Sequence, residues 1–203
     1  MLALGEASER ARLLDSGNTF VFARGDEPAR VENTDVTGLI GALGRAGVRE
    51  ASSAIVLGNG ATARSALFSL ADLGVTDALI LARSEANARA SLAGLAERLG
   101  VRLQYGVWGE IPDADAVDVL VSTVSAPLPE ATAAGLARLT GAAFDATYNH
   151  YPTALDRAAR AAGIVQLSGI DLLVGQALDQ IRLFTGLECP PEPLLDAAYA
   201  ALG

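Results

Sequence analysis

From Ser52 onward, short apolar runs alternate with segments in which apolar residues recur every three or four positions. The runs that predict strands are AIVL (54–57), ALIL (78–81), VDVLVS (117–122), AAFDATY (142–148) and IVQL (164–167), with RLQY (102–105) as a weaker candidate. Near-continuous apolar strands that alternate with amphipathic helices indicate a parallel sheet covered on both faces. Right-handed crossovers then predict an α/β fold with a doubly wound parallel sheet.

The first 50 residues follow a different pattern. Asn18–Arg24 and Ala29–Asn33 predict two strands joined by a Gly-Asp-Glu-Pro turn, and Asp35 to Ala46 predicts a helix with Thr34 as its N-cap. A lone hairpin is marginally stable in water, so this segment must pack on something else. The C-terminal stretch is helical in pattern and is expected to return to it. These patterns divide the chain into an N-terminal α/β segment (1–47), a central unit (48–168) and C-terminal helices (169–203).

Composition narrows the class of protein. Half of the residues are hydrophobic (51%), and no run reaches about 18 uncharged apolar residues, so we expect a packed core and no membrane span. The net charge of −9 argues against nucleic acid as a partner. Cys189 is the only cysteine, which argues against a disulfide or a cysteine-based metal site, and the N-terminus lacks a signal-peptide layout. A cytoplasmic protein without a metal is expected.

A glycine-rich turn follows the first strand of the central unit. In GNGATA, Gly58 permits a tight turn and Gly60 permits close approach of a pyrophosphate to the following helix N-terminus. This short motif alone fits a compact strand–helix turn equally well. The next strand ends at Ala82 and Arg83, where an arginine can pair with a 2′-phosphate, so NADP is the preferred cofactor. Glu85 is the alternative that is compatible with NAD, and a solvated loop cation is the alternative for Arg83.

Several motifs, in order along nearly the whole chain, resemble those of one family. They are GNT (17–19), NTDVTG (33–38), GNGATAR (58–64), ARSEANA (82–88), VSTVSAP (121–127), DATYNHYPTAL (145–155) and GIDLLVGQALDQIRLFTG (169–186). Together they resemble the shikimate dehydrogenases, which reduce 3-dehydroshikimate with NADPH in aromatic amino-acid biosynthesis. The resemblance implies a Rossmann sheet, NADP as cofactor and shikimate or 3-dehydroshikimate as the small-molecule substrate.

The resemblance also implies roles for individual residues. The implied substrate-binding residues are Asn18, Asp35, Tyr148 and Gln176, and Asp35 is in addition one half of the catalytic pair. The implied cofactor-binding residues are Gly58, Asn59, Gly60, Ala61, Thr62, Arg83, Ser84, Ala146 and Gly169. Amide, carboxylate and phenol groups suit a ring that carries hydroxyls. The plainer alternatives are that Asp35 only favours the first turn of its helix and that Gln176 is an ordinary polar residue.

The expected catalytic partner of Asp35 is missing from the sequence. The family pairs this aspartate with a lysine of its N-terminal domain, whereas all 15 basic residues here are arginines, and the family's Ser-x-Ser element is absent too. We therefore expect a truncated N-terminal substrate domain, with Met1 an internal start, and NADP(H) binding with weak turnover. The alternatives are a non-catalytic NADP(H)-binding module and a quinate/shikimate dehydrogenase paralogue. Unpaired sheet edges in the N-terminal segment favour a homodimer.

Overall fold

The computed structural model describes residues 1–148 and 150–201. Its strands are β1 (Glu6–Ala7), β2 (Thr19–Val21), β3 (Arg30–Glu32), β4 (Ser53–Leu57), β5 (Asp77–Ala82), β6 (Arg102–Val107), β7 (Val117–Ser122), β8 (Thr140–Asp145) and β9 (Val165–Leu167). Its helices are α1 (Glu9–Leu14), α2 (Thr34–Arg45), α3 (Ala61–Asp72), α4 (Glu85–Leu99), α5 (Glu130–Ala137), α6 (Ala154–Ala162), α7 (Gly169–Thr185) and α8 (Pro191–Ala200). A single 3₁₀ turn, Leu2–Leu4, precedes β1.

The central sheet confirms the predicted fold class. Its six strands lie in the order β6-β5-β4-β7-β8-β9, and every neighbouring pair is parallel. The winding reverses between β4 and β7, which is the point where open α/β sheets bind their ligands. Strand β8 ends at Asp145 rather than at Tyr148, because the Asp145 carboxylate accepts hydrogen bonds from the N–H (3.1 Å) and hydroxyl (2.9 Å) of Thr147. This turn takes the chain off the sheet.

The N-terminal segment forms a second sheet, in the order β1-β3-β2. The predicted hairpin is present as β2 and β3, whereas the two-residue β1, parallel to β3, is too short to leave a sequence pattern. Helix α2 begins at Thr34, and its N-cap is Asn33 rather than the predicted Thr34. The reason is that the Asn33 Oδ1 accepts a hydrogen bond from the Asp35 N–H (3.1 Å).

One hydrophobic core joins the N-terminal segment to the central sheet. Leu14, Val36, Leu39 and Leu43 are buried together with apolar residues of β4, β5, β7, α3 and α4. Helix α7 packs along α2 and returns the C-terminal part of the chain to the N-terminal segment. Within residues 1–148 and 150–201, no helix is both long and apolar enough to cross a membrane.

Candidate cofactor and substrate site

Three polar side chains from separate segments meet at the first turn of α2. The Asp35 Oδ1 accepts hydrogen bonds from the Asn18 Nδ2 (2.8 Å) and from the Gln176 Nε2. The Asn18 Oδ1 in turn accepts from the backbone N–H of Thr34 (2.9 Å), which leaves the Asn18 amide nitrogen directed at the carboxylate. Asn18 precedes β2, and Gln176 lies on α7. Residues far apart in sequence therefore converge on one carboxylate.

A glycine contact between α2 and α7 brings Gln176 to Asp35. A Cβ placed on Gly175 would lie 2.6 Å from the Gly38 Cα and 2.6 Å from the Gly38 carbonyl oxygen. A Cβ placed on Gly38 would lie 3.0 Å from the Gln176 backbone nitrogen. The two helix backbones thus touch at a distance that no larger side chain permits. Because Gln176 adjoins this contact, its amide reaches the start of the facing helix.

Asp35 belongs to this polar cluster of Asn18, Asp35 and Gln176, and it also faces the start of α3. It lines a crevice of about 10 Å³, which is room for about one water, together with Leu39, Thr62, Ser65, Ala66, Val121, Ala146 and Leu172. Burial raises the pKa of the Asp35 carboxyl above its ordinary value, and the hydrogen bond from Asn18 opposes part of that rise. The carboxyl group is therefore suited to hold or release a proton nearer to neutral pH than an exposed aspartate.

The raised pKa of Asp35 makes a testable prediction about stability. Because the folded state holds the Asp35 proton more tightly than the unfolded chain, the contribution of Asp35 to the free energy of unfolding is largest below pH 3.8 and falls as the pH rises through the raised pKa. Asp35→Asn removes this loss, which is about 1.4 kcal/mol for every tenfold tightening of proton binding in the folded state. Urea unfolding between about pH 4 and 8 measures the free energy of unfolding of both proteins. The free energy of unfolding of the variant, relative to that of the wild type, should increase as the pH rises. A decrease with rising pH would contradict the raised pKa.

A larger cavity of about 270 Å³ lies at the carboxyl ends of β4, β5 and β7. Its lining comprises Gly58, Asn59, Gly60, Leu81, Ala82, Arg83, Trp108, Thr123, Val124 and Ser125. Gly58 has a φ of +105°, and a Cβ there would lie 2.5 Å from the Thr123 Oγ1, so only glycine fits this turn. The Thr123 hydroxyl is itself fixed by donating to the Leu57 carbonyl (2.8 Å).

The start of α3 provides donors for an anion. Helix α3 begins at Ala61 after Gly60, which has no side chain to cap the helix, so the first backbone N–H groups have no side-chain partner there. Thr62 follows in the same turn and also lines the crevice that contains Asp35. A pyrophosphate beside this turn would meet the N–H groups and the positive end of the helix dipole. The predicted residues Gly58 to Thr62 thus connect the larger cavity to the polar cluster.

The residues after β5 differ in whether they reach the larger cavity. Arg83 is exposed and lines the larger cavity, whereas the Ser84 hydroxyl accepts from the Asn87 N–H (3.3 Å) and caps α4. Glu85 is paired with Arg89 (2.7 Å), and the Arg89 guanidinium lies 4.2 Å from the centre of the Tyr105 ring. Because Arg83 lines the larger cavity and Glu85 does not, the alternative suited to NAD loses support relative to Arg83.

The remaining predicted residues lie around the ends of β8 and β9. Ala146 lines the crevice beside Asp35, and Gly169 begins α7 so close to the preceding loop that a Cβ would lie 2.6 Å from the Ala146 carbonyl oxygen. Tyr148 is 48% exposed and makes no hydrogen bond to the Asn18, Asp35 and Gln176 side chains. Its predicted contact with substrate therefore stays a prediction. The described residues contain no group of acidic, histidine or cysteine side chains placed to hold a metal ion.

Among the lining residues of the larger cavity that sequence reasoning did not assign to a site are Trp108 and Thr123. Trp108 follows β6, and its backbone N–H donates to the Ala82 carbonyl (3.1 Å), which fixes it beside Arg83. Its indole Nε1 is buried and has no hydrogen-bond partner among the described residues. Their positions in the sequence could have indicated them, because both residues directly follow strands of the sheet, at the edge where ligands bind.

Comparisons with known proteins identify the family of the chain. No family model matches the chain. The shikimate dehydrogenase (NADP(+)) of Methanothermobacter thermautotrophicus is 32% identical over 202 residues, which cover 95% of this chain and 70% of that protein. The structure of Mycobacterium tuberculosis shikimate dehydrogenase is 38% identical, with a TM-score of 0.78 over 100% of this chain and 74% of that one. A Thermus thermophilus shikimate 5-dehydrogenase, solved with NADP(H) and shikimate, is 28% identical, with a TM-score of 0.76 and coverage of 96% and 72%. The chain belongs to the shikimate dehydrogenase family.

Proposed function

We propose that the chain binds NADP(H) in the larger cavity and a shikimate-class hydroxylated ring at the Asn18–Asp35–Gln176 cluster. The observation that carries this proposal is the position of Asp35, which contacts both amides and lines the same crevice as Thr62 of the glycine-rich turn. This arrangement suits the reduction of 3-dehydroshikimate, the reaction of a shikimate dehydrogenase-like oxidoreductase. Relatives named as NADP(+)-dependent, and one solved with NADP(H) and shikimate, support it.

The residues of the chain have separable tasks in this proposal. The amides of Asn18 and Gln176 hold ring hydroxyls, and a ligand without those hydroxyls would leave them unpaired and bind weakly. Asp35 accepts or returns the hydroxyl proton, for which its raised pKa is suited. When bound, the cofactor supplies the hydride chemistry. The turn at Gly58, the start of α3 and Arg83 hold its phosphates.

The absence of lysine sets a limit on catalysis. Asp35 has no lysine partner anywhere in the chain, and an arginine does not substitute for it because the guanidinium stays protonated. We therefore propose that this chain still binds NADP(H) but turns over its substrate slowly. The same observation favours the second candidate function, a non-catalytic NADP(H)-binding module. The two candidates share the cofactor site and differ in whether the Asp35 cluster holds a substrate that reacts.

Arg83→Ala tests the cofactor assignment. Removing charge-assisted hydrogen bonds to a phosphate is expected to raise the Kd for NADPH roughly 10- to 100-fold, while the Kd for NADH stays unchanged. Trp108 is the only tryptophan and lines the same cavity, so its fluorescence reports binding directly. Arg138→Ala, an exposed arginine after α5, is the matched control and should bind NADPH like the wild type. An equal loss for NADPH and NADH, or no loss for either, would refute the role of Arg83.

A further inference from the structure

A serine on α4 is hydrogen-bonded to the glycine-rich turn. The Ser91 hydroxyl donates to the Asn59 carbonyl oxygen at 2.8 Å, and this carbonyl lies between Gly58 and Gly60. Ser91 is half-buried, and the two residues are 32 positions apart in sequence. The sequence motifs of the cofactor site do not include Ser91. Its contact reaches the backbone of the turn rather than the cavity itself.

This hydrogen bond fixes the orientation of one peptide group. The Asn59 carbonyl and the Gly60 N–H belong to the same planar trans peptide, so they point in opposite directions. Holding the carbonyl on Ser91 therefore directs the Gly60 N–H away from α4. Gly60 lines the larger cavity, where an N–H attracts a phosphate and a carbonyl oxygen repels it.

The same peptide has little intrinsic resistance to rotation. A flip of this peptide would change the ψ of Asn59 and the φ of Gly60 by about half a turn each, and glycine accepts positive and negative φ almost equally. A Cβ placed on Gly60 would meet nothing within 4 Å, so contacts at that position do not restrict its φ. The glycines that let a pyrophosphate approach thus also make the turn labile. An external anchor on the Asn59 carbonyl removes that freedom.

Ser91 is itself held in place from the opposite side. The Arg64 Nη1 donates to the Ser91 carbonyl oxygen, and the Arg64 Nε donates to the Leu14 carbonyl oxygen (2.8 Å). Arg64 lies on α3, the helix that the glycine-rich turn precedes, and Leu14 ends α1. The position of Ser91 is therefore supported through its backbone as well as its side chain. Arg64 links the Ser91 backbone to α3 directly and to the end of α1 through Leu14.

We propose that Ser91 is a positioning residue for the cofactor, which holds the Asn59–Gly60 peptide with its N–H available to the pyrophosphate. This inference rests on the proposed binding of NADP(H). In Ser91→Ala the turn samples the flipped peptide, which presents the Asn59 carbonyl oxygen in place of the Gly60 N–H. Only the unflipped fraction of the free protein then binds, and the apparent Kd equals the intrinsic Kd divided by that fraction.

The binding experiment compares three variants with the wild type. Ser91→Ala should raise the Kd for NADPH roughly three- to tenfold, the effect of one lost hydrogen bond. Ser91→Thr keeps the hydroxyl and should restore binding to within about twofold of the wild type by the same reasoning. Ser52→Ala is the matched control, because Ser52 precedes β4 at the opposite edge of the sheet, hydrogen-bonded to Asp118 (2.8 Å), and it should leave the Kd unchanged. An unchanged Kd in Ser91→Ala would overturn the proposal.

A second measurement separates this inference from the proposed function. In the ligand-free protein, the amide resonance of Gly60 should shift or broaden in Ser91→Ala and return in Ser91→Thr. If the wild type binds no NADPH, the proposed function fails, and the inferred role of Ser91 toward the cofactor fails with it. If the wild type binds and Ser91→Ala loses affinity without any change at Gly60, the proposed function stands and the peptide anchor is overturned. Only a loss of affinity accompanied by a changed Gly60 resonance supports it.

Discussion

The purified chain is expected to oxidise NADPH with 3-dehydroshikimate about 10²–10⁴-fold more slowly than the Mycobacterium tuberculosis relative assayed beside it, which is the usual loss when a positioned acid–base group is missing. The physical reason is that Asp35 stands without a lysine partner, since the chain contains none. Steady-state absorbance of NADPH measures both rates under the same conditions.

Two controls are needed to interpret the difference in rate. Binding of NADPH, followed by the fluorescence of Trp108, shows whether the slow protein still holds its cofactor. Asp35→Asn should lower any residual rate further, because the proposed function assigns proton transfer to the Asp35 carboxyl group. A rate within about tenfold of the relative would lie outside the expected loss and would show that the chain manages proton transfer without a lysine. A slow protein that still binds NADPH would favour the binding module.

Gly175→Ala is expected to destabilise the protein by about 1–3 kcal/mol, although alanine is the better helix former. The added Cβ would lie 2.6 Å from the Gly38 backbone, so α7 must move away from α2. That movement takes Gln176 from Asp35 and should also weaken binding of shikimate. Urea unfolding and calorimetry with shikimate measure the two effects.

Gly94→Ala provides the matched control for this substitution. Gly94 lies inside α4, is exposed, and has nothing within 4 Å of the position of a Cβ. Replacement by alanine there should stabilise the protein by about 0.5–1 kcal/mol, through helix propensity alone. Opposite signs at the two glycines are therefore expected. If Gly175→Ala also stabilises, the close contact between α2 and α7 does not determine the position of Gln176.

Local patterns in the sequence are enough to predict the central sheet. Strand β7 has its predicted bounds, and the other strands of the sheet differ by a few residues at their ends, because a buried parallel strand is a continuous apolar run. The glycine-rich turn can be predicted from sequence equally well, since the positive φ of Gly58 restricts that position to glycine. These features depend on residues that are neighbours in the sequence, so one sequence is enough to predict them.

Features that depend on distant contacts could not be predicted in this way. Nothing local to Gly175 indicates that it meets Gly38, and nothing local to Ser91 indicates that it bonds the Asn59 carbonyl. The predicted N-cap of α2 is wrong by one residue, because Asn33 and Thr34 are both good capping residues. The Asn33 Oδ1 accepts the Asp35 N–H, whereas the Thr34 hydroxyl donates to the Oδ1 of Asn18, 16 positions earlier (3.1 Å). The motifs name the residues of the candidate site, whereas the packing of α2 on α7 determines how Asn18, Asp35 and Gln176 meet.

The hydrophobic core shared by the N-terminal segment and the central sheet has a thermodynamic consequence. Leu14 and Val36 are buried among the residues that support the glycine-rich turn, so the larger cavity and the Asn18–Asp35–Gln176 cluster belong to one cooperative folding unit. A ligand bound at either place then raises the free energy of unfolding of the whole unit, by an amount set by the ratio of its free concentration to its Kd. Occupancy of the proposed cofactor site therefore protects the Asn18–Asp35–Gln176 cluster against global unfolding, without any direct contact between them.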